Sequence, residues 1–153
     1  IKQGAQDAIS GVRDIIWVLD DKKDLLGDML ARVSQFAAPL CAANKISYTV
    51  NIPDDTRELK LGKEEKRNLY MIIKESINNS LKYAGGKNIL LSISRPEKKL
   101  RIEIRDDGKG FDSNNSTAGY GLRNIRNRAK AVGYTASIST LPGNGVIVAV
   151  EKE

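Results

Sequence analysis

The sequence predicts an α+β domain: a mostly antiparallel sheet with helices on one face, preceded by an N-terminal helix. Three observations predict it. The pattern of apolar residues runs helix, helix, then strand, helix, strand, strand, helix, strand, strand. The later strands are joined in pairs through "RPEKK" (95–99) and "LPGN" (141–144), short connections suited to antiparallel neighbours. And 153 residues, 41% of them hydrophobic and 29% charged, are enough for one compact core.

Each element has its own signal. From Ala5 to Leu19, apolar residues recur at Ile9, Val12, Ile16 and Leu19, a helical stripe. A second stripe uses Leu25, Met29, Val33, Phe36, Ala37 and Leu40, with Pro39 expected to kink or end that helix. "ISYTVNI" (Ile46–Ile52) alternates like a strand and is broken by "PDD". A long helix is expected from Lys63 to Ala84, stopped by Gly85-Gly86. "NILLSIS" and "LRIEIR" are β-rich, and "DDGKGFDSNNSTAG" is a polar loop. "YGLRNIRNRAKAVG" forms an amphipathic helix with Leu122, Ile125, Ala129 and Val132 inward and Gly133 as its stop. "YTASIST" and "GVIVAVE" close the chain as a hairpin.

Composition narrows the chemistry. There is no histidine, which excludes Ser-His triads, zincin motifs and His-based general acids. With the single cysteine, Cys41, in an apolar helical segment, neither an internal disulfide nor a structural zinc site is expected. A net charge of +6 suits an anionic partner, but the charge is spread along the chain and only 5% of residues are aromatic. Nucleic acid is therefore not an expected partner. No apolar run approaches the ~20 residues that cross a bilayer. The chain starts at Ile1 within a helical pattern and is expected to be a piece of something longer.

Two adjacent asparagines inside the long helix pose the functional question, because asparagine favours caps and turns over helix interiors. At about 100° per residue, Ile73, Ile77, Leu81 and Ala84 share one side, with Leu69 and Ser80 on its flank. Glu75, Asn79 and Lys82 share the opposite side, while Asn78 lies off that row and receives no role. Such a face is commonly just solvated. A carboxylate, an amide oxygen and an ammonium in one row also suit water, Mg²⁺ and phosphate.

Two glycine-containing segments follow. In Asp106-Asp107-Gly108-Lys109-Gly110-Phe111 a carboxylate ends a strand, and the glycines permit close approach of a ligand. Read alone, Asp-Gly is equally a hairpin turn. A calcium loop fails, because Arg105 falls at a ligand position and Asn114 where the bidentate Glu belongs. In "GYGLRN", Gly119 and Gly121 open a helix whose free N–H groups attract phosphate. A dinucleotide fingerprint fails because Asn124 occupies the third glycine position, and no P-loop exists.

Together and in this order, the three segments resemble the histidine-kinase-like ATPase superfamily, the Bergerat fold, over Ile46 to Glu153. That resemblance implies a two-layer sandwich with a mixed, mostly antiparallel sheet, and ATP and Mg²⁺ as cofactors. By analogy Asn79 holds the Mg²⁺, Glu75 orients water or substrate, and Lys82 adds charge. Asp106 recognises the adenine amine, Gly108 and Gly110 let the backbone close on the base, and Gly119, Gly121 and Leu122 meet the phosphates. Asp112–Ala118 would be a short lid. "VRDIIWVLDD" followed by "LLGDMLARVSQFA" is similar to the short-lid sensor histidine kinases, the subgroup of the nitrate and membrane-fluidity sensors. Residues 1–20 then resemble the end of a dimerisation and phosphoacceptor unit and 21–153 the ATP-binding catalytic domain, with Trp17 a packing aromatic at the junction.

The resemblance further implies a homodimer in the longer protein, a response regulator as partner, and a place in the cytoplasmic part of a membrane-bound sensor. Three departures stand out. Tyr83 replaces the family's usual His, and Val146 replaces a hydroxyl that commonly supports the adenine-binding Asp. No phosphorylatable histidine exists in the chain, so the acceptor must lie outside it. An anti-sigma-type serine kinase of the same fold, an ATP-gated module without transfer, and a basic RNA-binding domain are the alternatives.

Overall fold

A computed structural model describes residues 11–14, 16–17, 19–20, 22–110, 119–140 and 143–153. Helix α1 is helical at 11–14, 16–17 and 19; α2 spans Leu26–Ala43, α3 Lys63–Asn79 and α4 Gly119–Ala131. The strands are β1 (Ser47–Asn51), β2 (Asn88–Ser94), β3 (Arg101–Asp106), β4 (Tyr134–Thr140) and β5 (Val146–Lys152). They form one five-stranded sheet in the order β1-β2-β3-β5-β4. β1 and β2 run parallel, as a crossover through α3 requires, and the other pairs are antiparallel.

Alternation in the strands sends one row inward. Ile89, Leu91, Ile93, Ile102, Ile104, Val148 and Val150 are buried with Leu69, Ile72, Ile73 and Ile77 of α3 and Ile125 and Ala129 of α4. Removing this much apolar surface from water is the main driving force for the sandwich. On β3 the alternate positions Arg101, Glu103 and Arg105 form a ladder with Glu151: Arg101–Glu103 at 3.3 Å, Arg101–Glu151 at 3.1 Å and Arg105–Glu103 at 2.8 Å. Helices α2 and α3 begin alike. A carboxylate in the first turn accepts the preceding backbone N–H, Asp28 from Leu25 at 3.2 Å and Glu65 from Gly62 at 3.2 Å.

The structure corrects one expectation. Pro39 neither ends nor interrupts α2, which continues to Ala43. The carbonyl its missing N–H leaves without a helical partner belongs to Gln35, and both residues are exposed, so water can serve it. The apolar stripe of α1 does not face the domain: Val12, Ile16 and Leu19 are 57%, 64% and 63% exposed. Ala5 and Ile9 of that stripe lie outside the described residues.

The inward side of α1 is instead Asp14 and Trp17. Asp14 takes Arg32 of α2 at 2.9 Å, Lys74 of α3 at 2.9 Å and the Tyr70 hydroxyl at 3.1 Å. Burial pushes the Asp14 carboxyl up, but Lys74 and Arg32, with the Tyr70 hydroxyl, hold it below its ordinary range. Trp17 stacks obliquely on Tyr70 with ring centroids 5.1 Å apart. Fully buried Lys66 lies 4.8 Å from the indole centroid. Its ammonium donates to the carbonyls of Trp17 (3.4 Å), Asp20 (3.3 Å) and Lys23 (3.1 Å) and pairs with Asp24 at 3.5 Å. The cation sits where α1 ends and the chain turns toward α2, a place the negative end of the α1 dipole also favours. Trp17 is the packing aromatic at the junction that the sequence led us to expect.

Candidate active site

Three segments converge at one end of the sheet. Helix α3 contributes Glu75 and Asn79, both half-buried, one turn apart. The first turn of α4 lies directly over them. A Cβ on Gly121 would stand 2.8 Å from Glu75 Oε1, closer than real Cβ atoms approach, and 3.0 Å from Asn79 Nδ2, tighter than most. Glycine at 121 is what lets the α4 N-terminus, with its open N–H groups, reach these two polar side chains. Leu122, half-buried, packs against the core beside it.

The third segment is the end of β3. Asp106 is 5% exposed, and its carboxylate is held from three directions. Oδ1 accepts the backbone N–H of Gly108 at 3.0 Å and of Val146 at 3.3 Å, and Oδ2 accepts the Ser80 hydroxyl at 2.7 Å. Close approach of β5 depends on Gly145, whose φ is +76° and where a Cβ would run into the Asp106 carbonyl oxygen. Neighbouring Asp107 has another task. It accepts the N–H groups of Lys87 (2.8 Å) and Asn88 (2.9 Å) and the Asn88 amide (2.7 Å) at the start of β2. Those bonds, the Asn88 side chain foremost, hold its carboxyl below the ordinary range.

Most expected positions therefore come together: Glu75, Asn79, Gly121 and Leu122 in one cluster, Asp106 and Gly108 in the next, linked through Ser80. Gly110 has φ +67°, a conformation that glycine adopts freely. Gly119 begins α4 as expected. Lys82 departs from the simple row. The α-helix gives way at Ser80 to a π-turn, Ser80–Ala84, so Lys82 sits in a widened turn, exposed, beyond the regular ladder that aligns Glu75 with Asn79. Gly85, at φ +63°, then stops the helix in the left-handed conformation. The lid segment Asp112–Ala118, Phe111 and the Tyr83 side chain lie outside the described residues.

Ser80 is the residue that helical arithmetic missed, since it falls on the core flank and looks like tolerated polarity. Its signal in the sequence is a small hydroxyl directly after Asn79. As for metal, no group of three or more His, Cys, Asp or Glu side chains able to hold an ion occurs among the described residues. A carboxamide and one carboxylate beside a helix N-terminus suit an ion that takes most of its ligands from phosphate and water, as Mg²⁺ does.

The chain belongs to the family of histidine kinase-, DNA gyrase B- and HSP90-like ATPases, whose model matches residues 64–152. Relatives it resembles include sensor proteins. It is 32% identical over 103 residues to the sensor protein VraS of Staphylococcus saprophyticus, covering 67% of this chain and 30% of that protein. It is 29% identical over 103 residues to VraS of Staphylococcus aureus strain COL, with the same coverage. The chain thus spans under a third of the length of these relatives. Among solved structures it is similar to the histidine kinase domain of the Erythrobacter litoralis EL346 blue-light activated kinase, with TM-score 0.69, 18% identity, and 92% of this chain and 68% of that one covered. The Acinetobacter baumannii histidine kinase AdeS gives TM-score 0.71 at 13% identity, covering 99% and 79%. These likenesses bear out the α+β sandwich. Among the described residues no helix is long and apolar enough to cross a membrane.

Proposed function

We propose that this chain binds Mg·ATP and presents the γ-phosphoryl group to a histidine outside it, as the catalytic part of a sensor histidine kinase that relays the group to a response regulator. The observation that carries this is the close approach of the α4 start at Gly121 to Glu75 and Asn79, which brings a phosphate-attracting helix end beside a carboxamide and a carboxylate. Asp106, buried and fixed as an acceptor, reads the exocyclic amine of adenine. Gly108 and Gly110 shape the backbone beside the base. Gly119, Gly121 and Leu122 receive the phosphates, and exposed Lys82 adds charge at the mouth. Asn79 holds the Mg²⁺, which when bound neutralises phosphate charge. Glu75 orients the group that approaches the phosphorus and supports transfer. Phosphoryl transfer rests chiefly on positioning and charge neutralisation, which is what these residues offer.

Residues 1–20 belong to the end of the helical unit that dimerises and carries the acceptor in the longer protein, and 21–153 form the catalytic domain. In this arrangement the exposed stripe Val12, Ile16 and Leu19 turns toward that unit. The domain works on the cytoplasmic side of a membrane sensor. Titration with ATP, with and without Mg²⁺ and against GTP, tests the pocket: adenine-selective, Mg²⁺-enhanced binding is expected. Adding a helical fragment bearing the acceptor histidine and detecting acid-labile phosphate tests the transfer. Nucleotide binding without any transfer would favour an ATP-gated module.

A further inference from the structure

Asp106 needs its carboxylate turned so that a free lone pair meets the base. A carboxylate offers about four acceptor sites. Two lie on Oδ1 and are taken by the backbone N–H groups of Gly108 and Val146. Oδ2 takes the Ser80 hydroxyl at 2.7 Å, the shortest of the three bonds, which leaves one site. The hydroxyl comes from helix α3. Residue 146, which faces Asp106 across the β3–β5 register, contributes only its N–H because its side chain is valine.

We infer that Ser80 is the positioning residue that fixes Asp106 for adenine, and that it does for this chain what a hydroxyl on residue 146 would otherwise do. The inference rests on Asp106 as the base-reading group. Ser80 has one proton and two acceptors within reach, Asp106 Oδ2 and the Ser76 carbonyl at 3.1 Å. The charged, nearer acceptor holds it, because hydrogen bonds to a carboxylate are roughly twice as strong as neutral ones. Ser76 does not compete for that carboxylate, since its own hydroxyl donates to Ile72 O at 2.8 Å. The Ser80 proton therefore points at Oδ2 and keeps that oxygen a pure acceptor. An amine of the base is welcomed there, whereas a carbonyl at the same position, as in guanine, is repelled.

The position opposite is close enough to take over. Facing residues on paired strands have Cβ atoms about 5 Å apart on the same side of the sheet. Threonine has nearly the shape of valine, so a hydroxyl can be placed at 146 with little change in volume.

The test compares wild type, Ser80→Ala, Ser80→Cys and Ser80→Ala/Val146→Thr, each binding ATP, GTP and inorganic tripolyphosphate with Mg²⁺. Ser80→Ala is expected to weaken ATP about tenfold or more, the scale of a lost bond to a charged group. It should narrow the ATP:GTP ratio and leave tripolyphosphate within about twofold. Adding Val146→Thr should restore most of the ATP affinity. Ser80→Cys, a weak donor of similar size, should fall between, and it carries the test if the alanine variant does not fold. Wild-type ATP affinity and selectivity in Ser80→Ala, or no rescue by Val146→Thr, overturns the inference. If instead the wild type binds GTP or tripolyphosphate as tightly as ATP, Asp106 itself does not read the base.

Discussion

Replacing Gly121 by alanine sets two effects of known size against each other. In a helix, alanine is favoured over glycine by about 0.8–1 kcal/mol, less in a first turn. Against this, the new Cβ would lie 2.8 Å from Glu75 Oε1 and 3.0 Å from Asn79 Nδ2. Overpacking of that kind costs about 1–3 kcal/mol when neighbours cannot move. Here the neighbours are the ends of flexible, half-buried side chains, so they swing aside and the fold is largely spared. The cost reappears on binding, when both side chains must return to meet the ligand. Gly121→Ala should melt within a few degrees of wild type yet bind Mg·ATP about tenfold to a hundredfold more weakly, at about 1.4 kcal/mol per factor of ten. Calorimetric titration beside a thermal melt measures both. Unchanged affinity in a folded variant would refute the placement of phosphate and metal between α3 and α4.

Other expectations follow from the same geometry. Asn79→Ala should lose Mg·ATP binding while the domain stays folded, because the side chain is half-exposed and its removal leaves no buried void; titration with and without Mg²⁺ shows it. Asp106→Asn should keep its oxygen toward the Gly108 and Val146 N–H groups and turn an amide donor toward Ser80 and the base. The ATP:GTP affinity ratio should then drop at least about tenfold, since donor would face donor. Burial raises the phenols of Tyr70 and Tyr134, with Asp14 and Glu65 respectively adding to the shift. Because the unfolded chain ionises at the ordinary value of 10.0 and the folded one later, stability is intact below that pH and declines as pH rises through and above it. Tm measured from pH 8 upward should show the decline, and Tyr70→Phe/Tyr134→Phe should flatten it.

Periodicity and turn chemistry were enough to place the sheet and its helices, because burial of alternating or 3.6-spaced residues decides those elements. β2 and β4 occupy the residues expected of them, and β3 and β5 differ by one residue at each end. The segments carrying Glu75 and Asn79, Asp106 and Gly108, and Gly121 were legible because each has its own local signal, and the fold brings them to one end of the sheet. Three features were not. Survival of α2 through Pro39 depends on which side of the helix meets water. The role of Ser80 depends on a partner 26 residues away. And Lys66, on the buried side of α3, reads as a flaw in an apolar face until the carbonyls of Trp17, Asp20 and Lys23 arrive to receive it.

That ammonium makes α3 a shared beam. Lys66, Tyr70 and Lys74, each a turn apart, grip the N-terminal segment, while Glu75 and Asn79 lie under the first turn of α4. The chain's single tryptophan is clamped at this joint, next to a cation and a phenol ring. Its emission is thus a native optical gauge of whether the incoming helix is seated. Unlabelled protein can be followed by this signal during a titration with ATP, and any loosening at the joint should redden the light it gives off.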